Sequence, residues 1–250
     1  MKMRQLCFGF AVGLITCSNV SFAQHTGHYP AGVEGIKGGS LPPPGLYLRD
    51  YNLFYWADRF PQGAPPNFDS AFVYAQAPRV VWITDFKILG GNYGMDILVP
   101  FYYGKMKFAP GGPLSTDTTF AMGDIMVEPI TLSWHWKQFD LGVGYAFWAP
   151  TGDTGTPARL LSRGFWSQML TLGGTWFPDT QKTWALSLLN RYEIHSESWE
   201  NNAPPAVGTY TPGNTLTMEL GLSKAITKTI DVGLVGYYVQ QTTPDSGAGT

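Results

Sequence analysis

The sequence has few charged residues, few cysteines and no long apolar runs. Asp, Glu, Lys and Arg make up 14% of its 250 residues, against roughly 25% in an ordinary soluble domain. The net charge is −2, whereas nucleic-acid-binding proteins carry clustered positive charge. We therefore expect no nucleic-acid partner and a surface that differs from that of a typical soluble protein.

Thiol chemistry is confined to the start of the chain. The two cysteines are Cys7 and Cys17, so a disulfide-stapled secreted scaffold is excluded. Both lie in an apolar run of 12 residues, LCFGFAVGLITC. A helix needs about 20 apolar residues to span a bilayer, so this run is too short to do so.

This run has the features of an export signal. Lys2 and Arg4 precede it, and Ser21 and Ala23 provide the small residues of a cleavage site. We predict a signal peptide over residues 1–23, cleaved after Ala23. A lipoprotein signal ending at Cys17 is the alternative, although Thr16 is a poor residue before a lipidated cysteine.

The remaining composition favours strands. Aromatic residues reach 15%, Gly occurs 30 times, and no segment has a convincing helical period. We predict nine strands, near residues 46–57, 76–86, 93–104, 119–136, 139–149, 165–177, 183–196, 214–225 and 230–241.

The connections between these strands alternate in length. Four long connections alternate with four short ones, as in outer-membrane barrels with long external loops and short periplasmic turns. Greek-key crossovers in a sandwich would disturb that order. The predicted fold is an all-β, antiparallel, up-and-down transmembrane β-barrel of the bacterial outer membrane, formed by residues 46–250.

Residues 24–45 precede the barrel and are rich in Gly and Pro. The SLPPPG stretch favours an extended polyproline segment, and we interpret residues 24–45 as a periplasmic lead-in. The alternative is a segment that folds back into the barrel as a plug. His25 and His28 have a spacing that could bind a metal, but we interpret them as part of a solvated terminus.

Strand alternation also predicts which residues face the lumen. In FDLGVGYAFWA the large apolar residues alternate with small ones and Asp140. A charge on the lipid face costs about 2–4 kcal/mol near the midplane. We therefore expect charged strand residues to point inward, with Gly142, Gly144 and Gly221 leaving room for a solute. The lumen-facing candidates are Asp96, Asp140 and Glu219 on clearly alternating strands, and Arg79, Glu128, Arg191 and Glu193 on the others.

These charges have two possible roles. They line a path for a solute, or they pair with one another across the lumen and only stabilise it. Six tryptophans near strand ends fit an aromatic girdle at the membrane interfaces: Trp134, Trp136, Trp148, Trp166, Trp176 and Trp184.

The end of the sequence does not fit a complete barrel. Nine strands that start at the periplasm finish outside the cell, whereas bacterial single-chain barrels have even strand numbers. The last residue, Thr250, is also not the aromatic residue with which many such chains end. We expect a C-terminally incomplete barrel, with 10 or 12 strands in the complete protein.

Several stretches carry a family resemblance from about His28 to the last residue. They are HYPAGVEGIKGGSLPPPGLYLRDYNLFYWADR, GDIMVEPITLSWH, FDLGVGYAFWAPTGD, TWALSLLNRYEIH and VGLVGYYVQQTTPDSGAG. They resemble a family of Gram-negative outer-membrane proteins associated with the meta-cleavage pathway of phenol degradation. The resemblance implies a β-barrel and transport of aromatic compounds, and it carries no catalytic or ligand signature.

The leading hypothesis is a passive outer-membrane channel for small hydrophobic or aromatic compounds. Its partners would be outer-membrane lipid, the solute and the barrel-assembly machinery, and it would need no cofactor and no metal. We expect no enzyme, because His135 and His195 lack Ser and Asp residues at spacings that suggest a catalytic triad. The alternatives are a structural or adhesive barrel that acts through its external loops, and a periplasmic β-sandwich that binds a ligand.

Overall fold

The architecture is described by a computed structural model over residues 27–57, 68–108, 116–153, 162–198 and 209–247. Within these ranges the regular elements are all strands, and no helix is long and apolar enough to cross a membrane. The predicted signal peptide, its cleavage site and His25 lie outside the described residues.

Thirteen strands follow one another along the chain. They are β1 (Gly45–Ala57), β2 (Phe68–Ile88), β3 (Gly91–Leu98), β4 (Phe101–Phe108), β5 (Thr116–Met122), β6 (Ile125–His135), β7 (Phe139–Ala149), β8 (Ser167–Trp176), β9 (Trp184–His195), β10 (Tyr210–Thr211), β11 (Thr215–Ala225), β12 (Asp231–Gln241) and β13 (Ser246–Gly247).

All strands except β10 and β13 form one antiparallel sheet of eleven strands. The long strand β2 pairs with β1 along one edge and with β3 and then β4 along the other. β3 and β4 are two parts of one interrupted strand, and β5 and β6 are two parts of another. The described part of the sheet therefore makes nine passes, and each pass pairs with the next one along the chain. This order confirms the all-β, up-and-down prediction and excludes the alternative of a sandwich.

All nine predicted strands are present, with small differences at their ends. The second strand was predicted as 76–86, but β2 begins at Phe68, within a stretch that the sequence suggested was a long connection. The four long connections include residues 58–67, 109–115, 154–161 and 199–208, so the prediction of external loops falls largely outside the described residues.

The burial pattern of the sheet is the reverse of that in a soluble protein. In β9, Trp184, Leu186 and Leu188 are exposed, whereas Ser187, Arg191 and Glu193 are buried. The same alternation holds in β11, where Leu220 and Leu222 are exposed and Thr217 and Glu219 are buried. An apolar outer face suits contact with lipid, because lipid cannot solvate charged side chains.

The tryptophans divide between the two faces. Trp136, Trp166, Trp176 and Trp184 are exposed near strand ends, as the predicted girdle requires. Trp148 is an error in that prediction, because it is only 5% exposed and its ring stacks on His28. The alternation of β7 explains its position, since Trp148 shares the parity of Asp140 and Gly142.

Candidate functional site

The inner face of the sheet is the polar surface of this protein. All seven residues predicted to face the lumen are buried there: Arg79, Asp96, Glu128, Asp140, Arg191, Glu193 and Glu219. The sequence pattern did not indicate that residues 27–44 cover this face. In place of the extended lead-in that we favoured, these residues fold back against the sheet, as in the plug alternative.

The contacts of one side chain, Glu34, show that the sheet is curved. Arg49 on β1 and Arg191 on β9 both donate to the carboxylate of Glu34, at 2.6 Å and 3.2 Å. These strands are six steps apart in the sheet, which is roughly 29 Å if the sheet were flat and strands lie about 4.8 Å apart. The sheet therefore curls around residues 27–44.

Glu34 is the centre of a charged cluster. Its Oε1 atom accepts from Arg79, Arg191 and Tyr51 at 3.1, 3.2 and 3.2 Å. Burial alone would raise the pKa of Glu34, but the nearby guanidinium groups of Arg49, Arg191 and Arg79 outweigh it and lower the pKa to about 2. Glu34 is therefore ionised at neutral pH.

Strand register explains why this cluster needs a carboxylate from outside the sheet. Arg49 lies directly opposite Arg79, and Asp96 lies directly opposite Glu128. Like charges in such positions destabilise a sheet. Arg79 bridges the two acids, because it donates two hydrogen bonds to Asp96 at 2.8 and 2.7 Å and one to Glu128 at 2.7 Å.

Residues 27–44, the inner segment, also donate hydrogen bonds to carboxylates of the sheet. Glu193 accepts from His28 at 3.0 Å and from Tyr29 at 3.3 Å. Glu219 accepts from the Tyr29 hydroxyl, from Gly32 at 2.9 Å and from Glu34 at 3.2 Å. These bonds satisfy polar groups that would otherwise be buried without partners.

His28 has the surroundings of a buried structural residue, which corrects its interpretation as part of a solvated terminus. Its ring is hydrogen-bonded to Asp124 at 3.0 Å and to Ser167 at 2.7 Å. Ser167 is also hydrogen-bonded to His195, at 2.6 Å. An Asp–His–Ser contact resembles a catalytic triad, but Ser167 is 0% exposed, so a substrate has no access to its hydroxyl.

Glycines of the sheet allow residues 27–44 to pack closely against the strands. A Cβ atom on Gly39 would lie 2.6 Å from the backbone nitrogen of Gly174, so Gly39 packs directly on the strand. Gly142 faces Leu41, and Gly221 faces the backbone at Ile36. Gly142, Gly144 and Gly221 were expected to leave room for a solute. The chain itself contacts Gly142 and Gly221, whereas Gly142 and Gly144 also line a cavity that remains.

A second group of contacts holds the other end of the segment. Ser40 donates to Asp140 at 2.9 Å, and Lys182 donates to the same carboxylate at 3.1 Å. His135 lies 3.2 Å from Asp140. Together with the Glu34 cluster, these contacts support the interpretation that inner-face charges pair with one another and with the segment.

Space remains between the segment and the sheet. A cavity of about 500 Å³ is lined by Glu34, Arg49, Arg79, Arg191, Thr131 and Thr171, among others. The hydroxyls of Thr131 and Thr171 and the Nε atom of Arg191 are buried without a hydrogen-bond partner among the described residues. The cavity is therefore lined by charged and hydroxyl-bearing side chains, some of whose polar atoms are enclosed by protein.

Among the described residues, no cluster of His, Cys, Asp and Glu has the arrangement of a metal site. The geometry provides hydrogen-bond donors, acceptors and charges around a cavity, together with a segment that fills the rest of the inner face. These features suit binding and passage of a solute.

Comparison with known proteins agrees with this architecture. Residues 57–250 match the model of the family described as "Putative MetA-pathway of phenol degradation". A search of curated proteins gave no match. An outer membrane channel from Pseudomonas putida F1 has a similar solved structure, with a TM-score of 0.65 and 14% sequence identity, over 80% of this chain and 74% of that one. This likeness supports the fold of an outer-membrane barrel.

Proposed function

Because the chain belongs to the family of the MetA-pathway of phenol degradation, we propose that it is an outer-membrane channel for small hydrophobic or aromatic compounds. The observation that carries the proposal is the reversed burial of the sheet, with exposed Leu, Trp and Phe outside and buried charges inside. Lipid would cover the outer face, and the inner face would line the lumen.

In this function the seven buried charged residues have a structural and gating role. Arg79, Asp96, Glu128, Asp140, Arg191, Glu193 and Glu219 line the lumen and either form the charged cluster or bind residues 27–44. Residues 27–44 thereby cover the inner face of the sheet. Passage then requires that the segment moves, or that the solute passes through the cavity beside it.

The same geometry argues against catalysis as the main activity. The contact of Asp124, His28 and Ser167 is buried beside Trp148 and Phe165. A nucleophile must reach its substrate, and Ser167 cannot do so in this arrangement. We therefore propose that the protein transports its solute without changing it.

Uptake into proteoliposomes tests the proposed function. We expect phenol or toluene to enter vesicles containing the protein faster than a sugar of similar size, and faster than they enter empty vesicles. Heat-modifiable gel mobility of the membrane fraction provides the control for a folded barrel. Equal uptake of the aromatic compound and the sugar would contradict selectivity for aromatic compounds. No uptake of either would contradict the proposed channel.

A further inference from the structure

The Glu34 cluster has the composition of a receptor for a carboxylate. Three guanidinium groups and a phenol hydroxyl converge on one carboxylate: Arg49 and Tyr51 on β1, Arg79 on β2 and Arg191 on β9. Of these, Arg79 is also paired with Asp96 and Glu128. Arginine forks match the geometry of carboxylates.

Glu34 occupies this receptor imperfectly. Arg191 donates to Glu34 only through Nη2, at 3.2 Å, and its buried Nε atom has no partner among the described residues. A guanidinium can donate two parallel hydrogen bonds to one carboxylate. A free carboxylate could approach Arg191 through Nε and Nη2 together, which the tethered side chain of Glu34 does not do here.

Charge balance also favours an anion in this position. Without Glu34, Arg49 and Arg191 lose the carboxylate partner that each has among the described residues. Arg79, Asp96 and Glu128 keep one another as partners. The side chain of Arg191 is only 6% exposed, and a buried guanidinium without a counter-ion is costly, so an anion that replaces Glu34 would stabilise Arg191.

A small molecule can reach the receptor from the side of Arg49. The side chain of Arg49 is 47% exposed, and the cavity of about 500 Å³ extends along Glu34, Arg49, Arg79 and Arg191. This volume is within the range of small-ligand sites, about 300–1,000 Å³. The aromatic ring of Tyr51 lies against Arg49, so the site has an aromatic ring beside its charges.

We propose that Arg49, Arg191 and Tyr51 form a binding site for a small carboxylate solute, which Glu34 occupies as an internal ligand when the segment is closed. The proposal rests on the proposed channel function. A carboxylate solute competes with Glu34 for the arginines and thereby favours release of residues 27–44. The site would thus couple recognition of an anionic solute to opening.

Binding of benzoate to the purified full-length protein in detergent tests this site, with benzamide as the uncharged probe of the same shape. A ligand that must displace an internal competitor binds with reduced apparent affinity. We expect the Glu34→Gln variant to bind benzoate at least about tenfold more tightly than the wild type, with benzamide binding unchanged. Glu197→Gln, which removes an exposed carboxylate outside the cluster, should leave both affinities unchanged.

A second substitution identifies the arginines as the receptor. Arg191→Gln added to Glu34→Gln should abolish the gain in benzoate affinity. Arg49→Gln in the same background should also weaken it, and its half-exposed position makes loss of folding less of a concern. The proposal is overturned if benzoate and benzamide bind Glu34→Gln alike, or if neither arginine substitution changes benzoate binding in a folded barrel.

Uptake measurements on the same preparations separate this site from the channel function. A protein that conducts phenol, but whose Glu34→Gln variant gains no affinity for benzoate, keeps the channel function and lacks the site. A protein that conducts no solute loses the channel function, and with it the coupling to opening, even where benzoate binds.

Discussion

The carboxylate of Glu34 lies 3.2 Å from the guanidinium of Arg191, although 157 positions separate the two residues along the chain. The same carboxylate accepts a hydrogen bond of 2.6 Å from Arg49, which is only 15 positions away in the sequence. One side chain of the inner segment therefore connects the first pass of the sheet with the seventh. Movement of this segment would break contacts on distant strands of the sheet at once, so release of the segment and stability of the sheet are linked.

A disulfide between the segment and the sheet should close the proposed channel reversibly. The Cγ atom of Leu41, which marks the place of a Sγ atom in a cysteine, lies 3.8 Å from the position of a Cβ atom on residue 142, so Leu41→Cys and Gly142→Cys have a spacing that suits a disulfide. We expect uptake by the oxidised double variant to fall to the level of empty vesicles, and reduction to restore it. The single variants serve as controls, and equal uptake in both redox states would show that solutes pass without release of residues 27–44.

Adding one methyl group at Gly39 should loosen the segment. Its Cβ atom would overlap the backbone of Gly174, so we expect Gly39→Ala to destabilise the protein by about 1–3 kcal/mol and to increase the protease sensitivity of residues 27–44. Gly236→Ala is the matched control, because a Cβ atom there has no neighbour within 4 Å. Similar unfolding and proteolysis of the two variants would contradict direct packing of the segment on β8.

Charges on the outer face should be tolerated according to depth. Leu172 lies in the middle of β8 and Leu186 near the start of β9, and both are exposed. We expect Leu172→Arg to cost about 2–4 kcal/mol in lipid vesicles and Leu186→Arg about 0–1 kcal/mol. Denaturant unfolding in vesicles measures both. Equal, small costs would argue against placing β8 and β9 across a bilayer.

Loss of the His28 ring should be detectable at Trp148. The two rings stack with centroids 5.4 Å apart, and His28 also holds Asp124 and Ser167. We expect His28→Gln to change tryptophan fluorescence and to cost about 1 kcal/mol, since Asp124 keeps bonds from Ser162 and Gly152. His135→Gln, at a more exposed site beside Asp140, should leave the fluorescence of Trp148 unchanged.

Asp179 should make the turn between β8 and β9 sensitive to acid. Backbone N–H groups of Trp184 and Thr183 donate to its carboxylate, both at 2.9 Å, and lower its pKa to about 2. Because the pKa is lower in the folded state, Asp179 contributes stability above about pH 4, and this contribution disappears as the pH falls toward 2. Asp179→Ala should be less stable than the wild type at pH 7 and equal to it near pH 2. A difference that stays constant from pH 7 to pH 2 would exclude this role.

The strands, their order and the reversed burial could be predicted from the sequence because these features are local. A period of two in β3, β7 and β11 assigns each side chain to a face without knowledge of any partner. The same period predicts that Asp96, Asp140 and Glu219 point inward. The strands of Arg79, Glu128, Arg191 and Glu193 alternate less clearly, and their inward direction was predicted from the cost of a charge that faces lipid. The extension of β2 to Phe68 could not be predicted, because that stretch contains Gly and Pro signals nearby and gains its strand conformation by pairing with β4.

The position of residues 27–44 was decided only by the tertiary structure. Their Gly and Pro content shows that they form no regular element, but it does not show what they contact. Glu34 is the sole acidic residue between positions 24 and 45, which in retrospect is a signal. Its three arginine partners lie on three different strands, and the opposition of Arg49 to Arg79 depends on strand register. Sequence periodicity thus determined which residues face inward. The curvature and register of the sheet determined that they meet the chain's own segment there, because these contacts join residues that are distant in sequence.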